Sequence, residues 1–283
     1  MSKWLGWIAY LLWGFFCFLI FLHLVFPYEV VGRRILQRLE RETGVLTQSS
    51  DVNARFLGIH WDRVEVSSTG KTFPPIEIRN WVIRLYPLSL LGGRISLRSH
   101  GNVIGGTFHT RLLMEREGQR GFGEWRGLQI DGLPLSFVRG TSVGGVMDGR
   151  VMWQFVDRRL DGEASFEVRN GRIQNITWAG LTIPRLNLGR ITAQMSWKGD
   201  RIDVKEISTD GGDLTATLTG SLSLQNPLEK SEVTGRLEIA LTRGLLERYP
   251  VMRALYMNGK GQSKPLVMTI RGTLNAPEVS LSS

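Results

Sequence analysis

Three histidines, His60, His100 and His109, and a scatter of carboxylates are the side chains best placed to do chemistry in the polar stretches of this chain. Imidazole serves as a general base near neutral pH and as a zinc ligand, and a neighbouring carboxylate would orient it. Such chemistry needs spacing, and none is present. The histidines lie far apart, with no H-E-x-x-H pattern around them, and there is no Walker A run and no G-x-S-x-G elbow. Gly121, Gly123 and Gly127 miss the dinucleotide spacing by one residue and follow no strand–helix unit. Glu115, Glu117, Asp157 and Asp161 read as solvated strand ends. A metal site assembled in space from the histidines is the remaining route to catalysis, and strand-face or surface histidines are the favoured reading. Trp61, Trp81, Trp125, Trp153, Trp178 and Trp197 stand singly, as core residues do. The expectation is a non-enzymatic protein with no cofactor, no metal and no catalytic residue.

The elements that would carry the polar stretches begin with an uncharged run, WLGWIAYLLWGFFCFLIFLHLVF, from Trp4 to Phe26. At about 1.5 Å per residue a helix of this length spans a hydrocarbon core of about 30 Å. Trp4 and Trp7 mark one interface, Phe26 and Tyr28 the other, and Pro27 stops the helix. Residues 1–28 are therefore predicted to be a membrane anchor; the run is too long for a signal peptide and no small-x-small cleavage site follows it. His23 falls near the far interface. Only Lys3 and the α-amino group precede the run, and Arg33, Arg34, Arg38 and Arg41 follow it. Charge alone would keep the C-terminal side in the cytoplasm, although that rule weakens before a long domain.

Residues 29–43 predict an amphipathic helix ending at Gly44, with Val31, Ile35 and Leu39 on one face. Its arginines Arg33, Arg34 and Arg38 are candidate headgroup contacts; the alternative is a connector packed on the domain. From residue 45 a period of two takes over. Ala164, Phe166 and Val168 alternate with polar residues, as do Leu214, Ala216 and Leu218, and Val233, Leu237, Ile239 and Leu241 share one face. Ile191, Ala193, Met195 and Trp197 form one such face, a candidate core or lipid groove. Strict alternation gives one buried and one wet face, the pattern of antiparallel sheet. Turns are expected at Asp161-Gly162, Asn170-Gly171, Gly199-Asp200 and Gly211-Gly212. Two short helical turns are expected in residues 242–257 around Pro250. The fold class is thus mainly β, an N-terminal transmembrane helix followed by an antiparallel sheet of successive hairpins with one or two short helices.

The chain has 283 residues and a net charge of +9, with 42% hydrophobic and 22% charged residues, ordinary values for a folded chain. Its single cysteine, Cys17, excludes disulfide frameworks. The basic residues are dispersed without a motif, which argues against nucleic acid and for a membrane as the anionic partner.

Three segments together carry a resemblance. Phe26-Pro27-Tyr28 runs from the apolar segment into a basic helix. Pro87-Leu88-Ser89-Leu90-Leu91-Gly92-Gly93-Arg94-Ile95 leads to Gly105-Gly106-Thr107-Phe108. Leu266 to Leu281 contains Gly272-Thr273-Leu274 and Pro277 in a strand–turn–strand close. This resembles the type II secretion system protein N family and the wider AsmA-like group of periplasmic β proteins. The resemblance implies a single-pass inner-membrane anchor, with residues 29–283 as a periplasmic domain containing a long curved sheet. For the first group, the leading expectation, it implies a non-enzymatic component of the type II protein secretion apparatus with other secretion proteins as partners. For the second it implies a lipid-binding or lipid-transfer protein with an apolar groove for phospholipid.

Overall fold

A computed structural model describes the chain except residues 1, 26, 44, 51, 56, 69–74, 132, 135–140, 158, 179–180, 226–229, 251–264 and 282–283. Helix α1 (Ser2–Val25) and helix α2 (Tyr28–Thr43) meet at Pro27. Proline cannot continue the hydrogen-bond ladder, and the two axes bend by 67° there. Among the described residues no single helix is long and apolar enough to cross a membrane, whereas Trp13–Val25 and Tyr28–Arg41 meet that length and composition as a bent pair. The single span expected from Trp4 to Phe26 is therefore not confirmed in that form. Phe26, Gly44 and the side chain of Trp4 lie outside the described residues; Trp7 is exposed.

The strands described after α2 build one sheet. In chain order its strands are β1 (Val45–Ser49), β2 (Val52–Arg55), β3 (Gly58–Ser68), β4 (Ile76–Leu85), β5 (Ile95–Val103), β6 (Gly106–Glu115), β7 (Gly118–Gln129), β8 (Leu133–Pro134) and β9 (Ser142–Val156). They continue with β10 (Arg159–Trp178), β11 (Leu181–Lys198), β12 (Arg201–Asp210), β13 (Leu214–Ser223), β14 (Glu232–Leu241), β15 (Leu266–Thr273) and β16 (Ala276–Leu281). The short helices α3 (Leu88–Leu91) and α4 (Arg243–Arg248) interrupt the series. All sixteen strands join one sheet, in sequence order, and every pairing between them is antiparallel. Both β1 and β2 pair with β3, and β8 pairs with β9 beside β7, so sixteen strands less these two extensions make fourteen rows. The expected hairpin meander is what forms, and the strands β1, β2 and β16 are its edges.

Gly199 and Gly211, both at positive φ, sit in the hairpin connections expected of them. Two other expected turns are corrected. Asp161 and Gly162 lie inside β10; the hairpin turns instead at Asp157, two residues before β10 begins. Asn170, at φ 54, and Gly171 lie in a register shift within β10, a bulge and not a hairpin. Both dipeptides tolerate positive φ, and a bulge uses that tolerance as readily as a turn does. Of the two helical turns expected near Pro250, the first is α4, begun by Thr242, whose Oγ1 accepts the Leu245 amide. The second falls outside the described residues.

A candidate functional site: the uncovered apolar face

Register decides which side chains share a face. Residues directly opposite in neighbouring strands point the same way, so a face can be followed row by row. Ile191, Ala193, Met195 and Trp197 of β11 oppose Val168, Phe166, Ala164 and Gly162 of β10. Those oppose Met147, Gly149, Val151 and Trp153 of β9, and the path runs on through Trp125 and Phe108 to Gly101. In the other direction Met195 opposes Val204, Val204 opposes Gly220, and Leu218 opposes Leu237 and then Met268. The final row adds Val279 opposite Ile270. The four β11 residues singled out by alternation therefore belong to one apolar face that runs from β5 to β16. At about 4.8 Å per row, the ten intervals between these eleven rows make it about 48 Å long.

Two patches of this face are covered. At the β3 end, Tyr28 and Leu36 of α2 pack on Ile59, Trp61 and Val64, with Val31 and Ile35 against the same cluster. Trp61 is 0% exposed and stacks on Trp81 with ring centroids 4.9 Å apart. The apolar stripe of α2 thus packs on the sheet, and Arg33, Arg34 and Arg38 are exposed. At the opposite end of the strands, Leu245 and Leu246 of α4 pack on Ile183, Leu186 and Leu188.

Between these patches no helix or second sheet among the described residues covers the face. Its side chains there are mostly half-buried, and Phe155 and Leu160, opposite each other, are 40% and 42% exposed. Total accessible surface makes the same point. A compact monomer of 31.9 kDa exposes about 12,000 Å², whereas this chain exposes 19234 Å². A sheet one layer thick contributes to this excess.

The tryptophans shape this surface. Trp153 opposes Gly121, Trp125 opposes Gly149 and Trp197 opposes Gly162. At each glycine a Cβ would run into the indole, so each ring occupies the space above a neighbouring strand. Isolated in sequence, these residues are linked by register in space. The indole nitrogens of Trp61, Trp125 and Trp197 are buried with no hydrogen-bond partner among the described residues.

The opposite face is polar and carries ion pairs such as Arg126–Glu124 at 2.6 Å, Arg190–Glu167 at 2.8 Å and Arg236–Glu238 at 2.7 Å. It also holds the histidines. His100 and His109 are directly paired, ring centroids 6.0 Å apart, and His60 lies across Val82 from them. Burial, then the charge of Arg84, hold His100 below the usual imidazole range. Sequence spacing concealed this row because strand pairing, not chain distance, creates it. Among the described residues no group of three or more His, Cys, Asp or Glu could hold a metal.

No protein-family model, curated protein or solved structure matches this chain. The likeness drawn from its sequence rests on those residues alone.

Proposed function

We propose that the chain is a membrane-anchored, non-enzymatic lipid-binding protein whose apolar sheet face takes up acyl chains. The observation that carries this reading is the uncovered middle of a face about 48 Å long. Contiguous exposed apolar surface beyond a few hundred Å² marks an interaction site. An acyl chain suits a face that is predominantly apolar from β5 to β16 and offers little to orient a polar group. Register shifts, such as those at Gln194/Met195 and Val204/Ile207, bend and twist strands, which favours a trough over a flat plane. In this account α1 is the inner-membrane anchor and the sheet stands in the periplasm.

A second reading, a component of the type II secretion apparatus, draws on the β16 edge. Its main chain has a partner on one side only, and Val279 is 61% exposed. Such an edge accepts a strand from another protein. Purification of the full-length chain from its own membranes in mild detergent, with mass spectrometry of lipids and proteins, separates the two. Stoichiometric phospholipid supports the first reading. Secretion subunits without stoichiometric lipid support the second and overturn the first.

A further inference from the structure

Three arginines on the polar face stand in one line across three strands. Arg84 of β4 opposes Arg98 of β5, and Arg98 opposes Arg111 of β6. All three are exposed. Like charges directly opposite on a sheet repel and destabilise it, and several other arginines of this face are matched with carboxylates, as at Arg169–Asp148 and Arg201–Asp203. Among the described residues Arg84 and Arg111 have no acidic partner, and Arg98 is held instead by Tyr86. Its guanidinium lies 4.3 Å from the Tyr86 ring centroid and its Nη1 donates to Tyr86 Oη at 3.2 Å. Beside this ladder is a cavity of about 500 Å³ whose lining includes Tyr86, Leu88, Ser89, Arg94, Arg98 and Arg111. Arg94 is already paired with Glu115 at 3.1 Å. The imidazoles of His100 and His109 form the next row of side chains.

The position of the ladder indicates its ligand. Tyr28, at the joint between α1 and α2, packs in the cluster that holds Ile59 and Trp61 of β3, and Leu57 O, just before β3, accepts the Leu85 amide at 2.9 Å. The ladder begins at Arg84 and is flanked by α3, so it occupies the corner of the sheet from which α1 departs. On α3, Leu88 is 72% exposed and Leu90 49%. Arg98 and Arg111 line one cavity, with Arg84 in the adjoining row, and exposed leucines stand next to it; this fits a ligand that is anionic at one end and apolar at the other. A free phosphate would leave the leucines without a partner.

We propose that Arg84, Arg98 and Arg111 bind the phosphate of an anionic phospholipid headgroup at the surface of the bilayer that holds α1, with Leu88 and Leu90 entering its apolar boundary. The site rests on the reading of α1 as an anchor but is separate from the apolar face, which lies on the other side of the sheet. It is tested with the full-length chain in a nonionic detergent, titrated with dihexanoyl phosphatidylglycerol, with dihexanoyl phosphatidylcholine and with inorganic phosphate. Phosphatidylglycerol should bind at least about tenfold tighter than the zwitterionic lipid, the weight of one charge-assisted hydrogen bond. The double substitution Arg98→Gln and Arg111→Gln should abolish the difference, and Arg236→Gln should preserve it. If the double variant melts early, raising salt from about 50 to about 500 mM with the unaltered chain decides: the preference should collapse as exposed charges are screened. Equal binding of the two lipids, or a preference insensitive to both the double substitution and salt, overturns the site and leaves acyl binding on the apolar face untouched. Inorganic phosphate binding as tightly as phosphatidylglycerol overturns the headgroup assignment in favour of a free-anion site. Loss of acyl binding in a Phe155→Glu, Leu160→Glu variant that keeps its headgroup preference would separate the two sites in the opposite sense.

Discussion

The indole of Trp153 occupies the space that a side chain at Gly121, its partner on the neighbouring strand, would need. The relation between a large ring and an empty position recurs at Trp125 with Gly149 and at Trp197 with Gly162. It explains why glycines stand in the middle of strands that they would otherwise weaken. A valine at position 121 must displace the ring, so Gly121→Val should destabilise the sheet by about 1–3 kcal/mol. Denaturant titration followed by tryptophan fluorescence measures it. An unchanged midpoint would mean that the ring does not lie there.

That relation also marks where the sequence ceased to be informative. Alternation was enough to place Ile191, Ala193, Met195 and Trp197 on one face, because period two is a property of each strand alone. It could not say that this face continues through Val151 and Leu218, since continuity depends on pairing between strands. The dipeptides Asp161-Gly162 and Asn170-Gly171 carried the right backbone freedom and the wrong meaning. Gly162 makes room for Trp197 and Gly171 sits in a bulge, and neither partner is visible within the local sequence. The histidine row and the arginine ladder were hidden for the same reason.

The two covered patches should behave as ordinary cores. Trp61→Ala should cost about 3–5 kcal/mol and Leu245→Ala about 2–5 kcal/mol, since each empties a fully buried site. Thr242→Ala removes the cap of α4 and should cost about 1 kcal/mol. Equilibrium unfolding of the three variants checks the order; a Leu245→Ala cost no larger than that of Thr242→Ala would mean that α4 does not cover the sheet.

Stability should fall with pH around His100. Its folded pKa lies below the ordinary 6.5 because burial, Arg84, His109, Arg55 and His60 all disfavour the imidazolium. The unfolded chain therefore takes up the proton first as pH drops. The contribution of His100 is complete above 6.5, declines below it, and is gone once pH has passed the lower folded value. In His100→Gln this part of the slope should vanish. Thermal melts between about pH 7.5 and pH 5 compare the two chains, and parallel curves would contradict the assignment.

Charge placed on the uncovered face should be tolerated. Phe155→Glu with Leu160→Glu introduces two carboxylates at positions already 40% and 42% exposed. The two carboxylates stand directly opposite each other, so the expected loss of stability is about 1–2 kcal/mol, with weakened binding of a fluorescent fatty acid. A large loss of stability would indicate that another layer closes over these residues.

The most direct measurement uses neighbours that face opposite ways. A photo-crosslinking amino acid is placed at Leu218, on the apolar face, and in a second chain at Thr217, on the polar face opposite Glu238. Both chains are irradiated in their native membranes and the adducts are identified by mass spectrometry. Uptake of acyl chains by the apolar face predicts phospholipid adducts at Leu218 and none at Thr217. Absence of lipid at Leu218, or equal lipid labelling at the two positions, would contradict it.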